Sequence, residues 1–407
     1  MNKIESGIAA LSAGLLLASG ASAKGLARFG DELKFLQKNT EVVVLSDASG
    51  QKQVAVSPAL QGRVLTSTAG GPQGSSYGWI NHELISSKKT LAHINPFGGE
   101  DRFWLGPEGG QYSIFFKPGS KFDLDHWQTP PAVDSEGFTL ARKDPHSLVL
   151  TKDIRLLNYS GTDFEVGVER KVKLLSDKDV WKKLKIKPLK DIQMVAYESQ
   201  NTITNKGKEA WDKKTGLLSV WILGMFNPSD HSTVVIPFKP GPEKQKGPIV
   251  NDAYFGKVPG DRLVIKDKIL FFSGDGKKRS KIGLSPQRVL PVMGSYDADH
   301  GILTLVQFTT PQGAADYVNS MWEIQKNPYG GDVANSYNDG PPAPGKKPLG
   351  PFYELESSSP AAALRPGKSL THVHRTIHLE GPEAALDPVA QAVLGVSLAD
   401  IKTALKK

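Results

Sequence analysis

The feature that most limits the fold of this chain is the alternation of apolar and charged side chains over strand-length segments. In FEVGVERKVKLL (164–175), apolar residues share one side of an extended chain and charged residues share the other. A period of two is typical of a β-strand with one buried face. Similar strand-length runs occur at 41–45, 112–116, 147–157, 217–226, 263–272 and 301–308. The 41 glycines and 28 prolines can supply turns between many short strands.

Helical patterning is confined to the two ends of the chain, and no fixed-period repeat indicates a propeller or a solenoid. The Pro/Gly/Lys-rich segments 238–248 and 338–351 are typical of loops. They are not obvious linkers, because the strand-rich composition continues on both sides of each. We therefore predict one large, mostly antiparallel all-β domain over residues 24–383. A short helical tail follows it over residues 384–407.

The first 23 residues have the pattern of an export signal. Lys3 precedes an apolar run that is too short to span a bilayer, and Ala21-Ser22-Ala23 matches a cleavage site. We expect cleavage after Ala23 and a periplasmic or secreted bacterial protein. No later segment approaches 18 consecutive apolar residues, so we expect no membrane span.

Composition narrows the range of sites and partners. The chain has no cysteine, which excludes disulfides and thiolate metal ligands. The formal net charge is +8, and the excess gathers at 170–190 and in KKRSK (277–281). We interpret these runs as solvated surface, with an acidic glycan partner as the second interpretation. Predicted export, interspersed aspartates and the lack of a nucleic-acid-binding motif argue against nucleic acid.

The segment GGEDRFWLGPEGG (98–110) is unusually dense in charged and aromatic groups. It places carboxylates, a guanidinium and an indole between two glycine pairs. Sugar rings pack on indole faces, and sugar hydroxyls bond to carboxylates and guanidinium groups. We predict that this segment is a loop of a glycan pocket; the alternative is a charged surface turn anchored by its tryptophan. Its candidate ligand-binding residues are Glu100, Arg102, Trp104 and Glu108.

A second polar, glycine-rich segment, PYGGDVANSYNDGPP (328–342), has similar chemistry. Its side chains are phenol, amide and carboxylate groups that can bond to sugar hydroxyls. We predict that it contributes to the same pocket through Tyr337, Asn338 and Asp339, with Asn335 nearby.

Three segments together resemble the galactose-mutarotase-like superfamily. They are VAYESQNTITNKGKEAW (195–211), LLSVWILGMFNPSDHSTVVIPF (217–238) and ELESSSPAAALRPGKSLTHVHRTIHL (354–379). The resemblance runs in order over about residues 40–380 and implies a sugar-binding β-supersandwich. It also implies acid/base chemistry at an anomeric carbon.

The resemblance also implies roles for particular residues. Glu354 and Glu356 share one face of a predicted strand, and Glu356 stands where the superfamily has its base. The superfamily's middle histidine is missing, because this chain offers only Ser219, Val220 and Trp221 near that position. We expect His93 or Glu108 to supply the acid instead. From the residues alone, an exposed polar strand face is the favoured interpretation of the two glutamates.

His372, His374 and His378 stand on one face of the predicted closing strand. Alternate imidazoles on a strand can bind a metal ion, which makes His372 and His374 weak metal-ligand candidates. The alternative, which we favour, is a polar face exposed to water, because no second ligand cluster is evident from spacing. We expect no cofactor.

The sequence thus predicts an exported, mutarotase- or epimerase-like protein that binds a sugar or glycan in a concave pocket. One alternative is a non-catalytic, lectin-like module that kept the pocket and lost the chemistry. Another is a metal-assisted glycan lyase or hydrolase. The oligomeric state and the identity of the sugar cannot be inferred from the sequence.

Overall fold

The computed structural model describes residues 25–405, so the predicted export signal lies outside the described residues. Strands hold 36% of the chain and helices 14%, which confirms the predicted β-rich class. The strands are β1 (Val43–Ser46), β2 (Gln53–Ser57), β3 (Arg63–Thr68), β4 (Arg102–Gly106), β5 (Thr139–Lys143), β6 (Ser147–Leu157), β7 (Asp163–Leu174), β8 (Gln193–Asn205), β9 (Ser219–Phe226), β10 (Ser232–Pro237), β11 (Leu263–Lys266), β12 (Ile269–Ser273), β13 (Ser280–Leu284), β14 (Val292–Asp297), β15 (Ile302–Phe308), β16 (Ala334–Asn338), β17 (Tyr353–Ser358) and β18 (Ser369–Glu380).

The helices of the described residues are short, and half of them lie near the chain ends while the others lie between strands. They are α1 (Phe29–Asn39), α2 (His82–Ser87), α3 (Asp177–Leu184), α4 (Glu243–Lys246), α5 (Glu383–Leu394) and α6 (Leu398–Ala404), with 3-10 turns at Gly71–Gln73 and Pro131–Val133. Among the described helices, none alone is long and apolar enough to cross a membrane; α5 and α6 pass that test only as a pair bent by 80°. Gly395 ends α5 in the left-handed conformation, with φ 76°, which glycine adopts without strain.

The strands form two large sheets and one small sheet. Within each sheet, neighbouring strands run antiparallel. The large sheet has ten strands in the order β11-β12-β10-β14-β15-β18-β8-β7-β6-β5. The second has five strands in the order β13-β16-β17-β9-β4, and β1-β2-β3 form the third. Apolar side chains from the ten-stranded and five-stranded sheets share two buried clusters, so these two sheets pack face to face.

Alternation along the strands assigns the two faces of the ten-stranded sheet. Val234 and Ile236 of β10 lie in the core against the five-stranded sheet, whereas Val235 faces the opposite way. That opposite face is covered by apolar residues of α3, α5 and α6. The predicted C-terminal helical tail is therefore part of the core.

The structure corrects three local sequence predictions. Residues 112–116 form bends and turns, although they have the composition of a strand. Residues 263–272 form a hairpin of two strands, because Asp267 adopts a left-handed turn conformation between them. Helix α3 lies in the interior of the chain, although helical patterning was evident only at its two ends; Ser176 caps it by accepting a bond from the Asp179 N–H.

Candidate functional site

A cavity of about 160 Å³ lies over one face of the five-stranded sheet. Side chains reach it from all five strands because alternate residues of each strand point the same way. Arg102 and Trp104 of β4 pair in register with Leu223 and Trp221 of β9, and these four residues line the cavity. The segment 98–110, predicted as a loop, therefore contributes an edge strand that holds its side chains on a rigid sheet.

Strand register also brings the late predicted residues to this cavity. Met225 of β9 pairs with Glu354 of β17, which pairs with Tyr337 of β16, which pairs with Lys281 of β13. All four line the cavity, as do Glu108 and Asp339 from the connecting segments. Six sequence-predicted residues are thus gathered in one place: Arg102, Trp104, Glu108, Tyr337, Asp339 and Glu354.

An ion pair joins the early and late parts of the chain at this site. Arg102 Nη2 donates to Glu354 Oε1 at 2.8 Å, and both side chains are almost completely buried. The guanidinium carbon of Arg102 lies 4.4 Å from the ring centroid of Trp104, so the indole covers one face of the cation. The pair fixes the position of both charged groups, because neither can swing away without leaving a buried partner unpaired.

Burial raises the pKa of three carboxyl groups that line the cavity. The pKa of Glu354 is raised to about 8, although the charge of Arg102 opposes the shift. Burial also raises the pKa of Glu108, where the charge of Lys281 acts in the opposite direction. Asp339 has a raised pKa from burial as well; it accepts a bond from the Tyr337 hydroxyl at 2.6 Å. A carboxyl group such as Glu354, whose pKa lies near neutral pH, can act as a general acid.

Aromatic rings form most of the apolar lining. Trp104 and Trp221 meet edge to face at 5.5 Å, and Trp127 stacks on Trp322 at 5.7 Å. Trp127 and Trp322 come from segments that sequence reasoning did not connect with the pocket. An isolated tryptophan in a loop carries no signal of which cavity it will line.

Glu356 does not line the cavity and is fully buried. Its Oε2 accepts bonds from Trp221 Nε1 and Lys281 Nζ, each at 2.9 Å. Trp221 and Lys281 line the cavity while Glu356 does not, so they separate it from that space. Trp221 lies in the segment where the resemblance places the superfamily's middle histidine. Its indole N–H donates to the Glu356 carboxylate and so fixes the position of that group.

Three other predicted site residues do not line the cavity. Glu100 is buried elsewhere and binds the Ser67 backbone N–H at 2.6 Å and His378 Nε2 at 3.0 Å. Asn338 accepts the Gly276 N–H at 2.9 Å and so orders the turn before β13. His93 is exposed, and its Nδ1 lies 2.6 Å from the Trp127 carbonyl oxygen.

The histidine face of β18 points into the protein, which corrects the expectation of a water-exposed face. His372, His374 and His378 are buried between the sheets. Ser357 Oγ lies 2.8 Å from His372 Nε2 and 2.8 Å from His374 Nδ1. Burial lowers the pKa of His372 to about 3 and that of His374 to about 4, so both imidazoles are neutral. Among residues 25–405, no group of three or more His, Cys, Asp or Glu side chains is placed to hold a metal ion.

Comparison with known proteins gives a family and a fold. Residues 27–405 match the model of a family of unknown function, DUF6786. No curated protein matches the chain significantly. The structure is similar to that of a candidate aldose 1-epimerase from Escherichia coli K12, with a TM-score of 0.50 and 13% identity, over 84% of this chain and 99% of that one. A galactose mutarotase-like protein from Lactobacillus casei is similar over 84% of this chain and 100% of that one, with 12% identity and a TM-score of 0.46.

At such low identity the first of these similarities establishes the fold alone. Together with the antiparallel sheet architecture, it confirms the resemblance that the sequence motifs indicated. The family match covers nearly all of the described residues. The chain belongs to the DUF6786 family and has the galactose-mutarotase-like fold.

Proposed function

We propose that this protein binds a carbohydrate in the cavity over the five-stranded sheet. The observation that carries the proposal is the combination of indole faces and a fixed Arg102–Glu354 pair in one cavity. A sugar ring has C–H surfaces that pack on indoles and hydroxyls that exchange hydrogen bonds with charged groups. The export-signal pattern of residues 1–23 supports an extracytoplasmic location for this binding.

A second candidate function is mutarotase-like catalysis in the same cavity. It is favoured by the raised pKa of Glu108 and of Glu354, both of which face the ligand space. One carboxyl group would protonate the ring oxygen while a carboxylate removes the proton of the anomeric hydroxyl. The C1–O5 bond then breaks, and reclosure after rotation about C1–C2 gives the other anomer. Glu356 fits this scheme less well than Glu354, because Trp221 and Lys281 cover it.

Substitution of Trp104 tests the binding proposal. Trp104→Ala should weaken sugar binding by about 1–3 kcal/mol through lost apolar contact, measured by isothermal titration calorimetry against a panel of saccharides. Trp181→Ala is the matched control, because Trp181 is equally buried but lies in α3 on the far side of the ten-stranded sheet. Equal sugar affinity in the two variants, with both folded, would contradict the proposal.

An anomer-equilibration assay followed by polarimetry tests the catalytic candidate. Glu354→Gln and Glu108→Gln keep the shape of each side chain and remove its acid/base capacity. Lost turnover with retained sugar binding supports catalysis. If the unsubstituted protein binds sugar without any turnover, the catalytic candidate is contradicted and carbohydrate binding remains as the proposed function.

A further inference from the structure

The basic run KKRSK (277–281) divides into an outward and an inward half. Lys277 pairs with Asp230 at 2.7 Å on the surface, and Lys278 is exposed to solvent. Arg279 and Lys281 instead line the cavity. The second half of this basic run therefore adds positive charge to the proposed carbohydrate site.

The cations of the cavity differ in whether they have an acidic partner. Arg102 contacts Glu354, and Lys281 contacts Glu356, so each of these cations has an acidic partner. The guanidinium carbon of Arg279 lies 3.8 Å from the Phe255 ring centroid. Within the part of the chain that the structure describes, neither Arg279 nor Lys347 is in ion-pair contact with a carboxylate, although the charge of Arg279 acts on Glu108 and Asp339 nearby.

The acidic groups of the cavity leave few acceptors free. Asp339 Oδ1 accepts the Tyr337 hydroxyl, and its Oδ2 accepts the Gly350 N–H at 2.8 Å. Glu354 is engaged by Arg102, and Glu108 has a side-chain hydrogen bond with Trp322. A carboxylate accepts more than one hydrogen bond, so Glu108 can also bind sugar hydroxyls. The free donors are more numerous: Arg102 Nε and Nη1, Trp104 Nε1 and Trp127 Nε1 have no hydrogen-bond partner. Buried donors are usually hydrogen-bonded, so these groups can bond to acceptors of a ligand or of ordered water.

We propose that the carbohydrate bound here is acidic, and that Arg279 and Lys347 bind its anionic group while Glu108 binds its hydroxyls. This inference rests on the proposed carbohydrate-binding function. A carboxylate, sulfate or phosphate group has the shared chemistry of anionic oxygens that accept charge-assisted hydrogen bonds from guanidinium and ammonium groups. The stacked position of Arg279 over Phe255 holds the guanidinium ready at little further entropic cost.

Calorimetry on the full chain, with each acidic sugar compared with its neutral parent, tests the proposal. The probes are D-galacturonate, galactose 6-sulfate and galactose 6-phosphate, each against galactose, with D-glucuronate against glucose and short oligogalacturonides as longer ligands. At least one acidic sugar should bind about tenfold or more tightly than its parent. Its affinity should fall with added salt more than that of the parent. The relative affinities of the three galactose derivatives identify the acidic group.

Two variants locate the contact. Arg279→Gln and Lys347→Gln should each weaken binding of the acidic sugar more than binding of its neutral parent, which narrows the difference in affinity between the two. Arg142→Gln is the matched control, because Arg142 is exposed on β5, away from the cavity. Lys347 is exposed, so its variant remains informative if Arg279→Gln fails to fold.

The outcomes separate this inference from the function on which it rests. Equal affinity for acidic and neutral sugars, sensitive to Trp104→Ala, overturns the acidic ligand and leaves carbohydrate binding intact. A preference for acidic sugars that survives both Arg279→Gln and Lys347→Gln overturns the assigned contact. Absence of binding to every saccharide overturns both proposals.

Discussion

Glu354 is a carboxyl group whose protonation links the site to stability. Its pKa is raised from 4.5 to about 8 by burial. The folded protein therefore binds this proton more tightly than the unfolded chain does. The contribution of Glu354 to the free energy of unfolding is greatest below about pH 4.5 and is lost as the pH rises through about 8.

Glu354→Gln should remove this pH dependence. The free energy of unfolding of the unsubstituted protein, minus that of the variant, should fall between about pH 5 and about pH 9. Urea unfolding at both pH values measures the difference. A constant difference would show that Arg102 keeps Glu354 ionised in the folded protein throughout this range.

The Lys281–Glu356 pair gives a second prediction for single residues. Both side chains are buried, so Lys281→Met leaves the Glu356 carboxylate with Trp221 as its one remaining donor. We expect a loss of about 3–5 kcal/mol in the free energy of unfolding. Glu356→Gln in the Lys281→Met background should recover part of that loss, because it removes the unpaired charge. A double-mutant cycle from urea unfolding measures the coupling, and an additive result would mean that the pair is not coupled.

At the scale of elements, strands with one polar face were predictable, and strands buried on both faces were less so. β6 and β7 follow the alternating segments closely, since the period of two reports the burial of one face. β4 was predicted as a loop because its RFWLG sequence shows no apolar alternation. Its charged and apolar residues are all buried, Arg102 and Trp104 toward the cavity and Phe103 and Leu105 toward the core. The apolar stretch 112–116 failed as a strand because it packs into the core without a strand partner.

The C-terminal helices give the prediction at this scale. Leu386 of α5 is fully buried against the outer face of the ten-stranded sheet. Leu386→Ala should lower the free energy of unfolding by about 2–5 kcal/mol, because a large cavity remains in the core. Leu157→Ala is the control: Leu157 ends β6 with 53% of its surface exposed, and its loss should change stability by about 0.5 kcal/mol or less. Similar urea midpoints for the two variants would indicate that α5 is not part of the cooperative core.

At the scale of the molecule, the site depends on long-range order that composition does not encode. Arg102 and Glu354 are 252 positions apart, and their pairing follows from the order β17-β9-β4 in the five-stranded sheet. The sequence motifs and the family resemblance identified both residues as candidates. They could not show that Glu356, two residues after Glu354, would be buried away from the cavity and paired with Lys281. That outcome depends on which strand lies beside β16, and no local pattern specifies it.

The two sheets are also joined by a buried polar network, and this network gives the last prediction. Asp101, just before β4, accepts a bond from Arg170 of β7 at 2.6 Å and from Ser199 Oγ of β8 at 2.7 Å. Both members of the ion pair are fully buried. Asp101→Asn should lower the free energy of unfolding by about 3–5 kcal/mol, because the Arg170 charge loses its counter-charge inside the protein.

Strand β7, which carries Arg170, also supplies a matched control for Asp101→Asn. Asp163 of β7 pairs with Arg155 on the surface, where both side chains are substantially exposed. Asp163→Asn should therefore change stability by about 1 kcal/mol or less, because water screens and solvates the remaining charge. Urea unfolding of the two variants at one pH isolates the effect of burial. If Asp101→Asn were no more destabilising than Asp163→Asn, the Asp101–Arg170 pair would not be what holds the five-stranded sheet to the ten-stranded sheet. The apolar clusters between the sheets would then account for their packing without it.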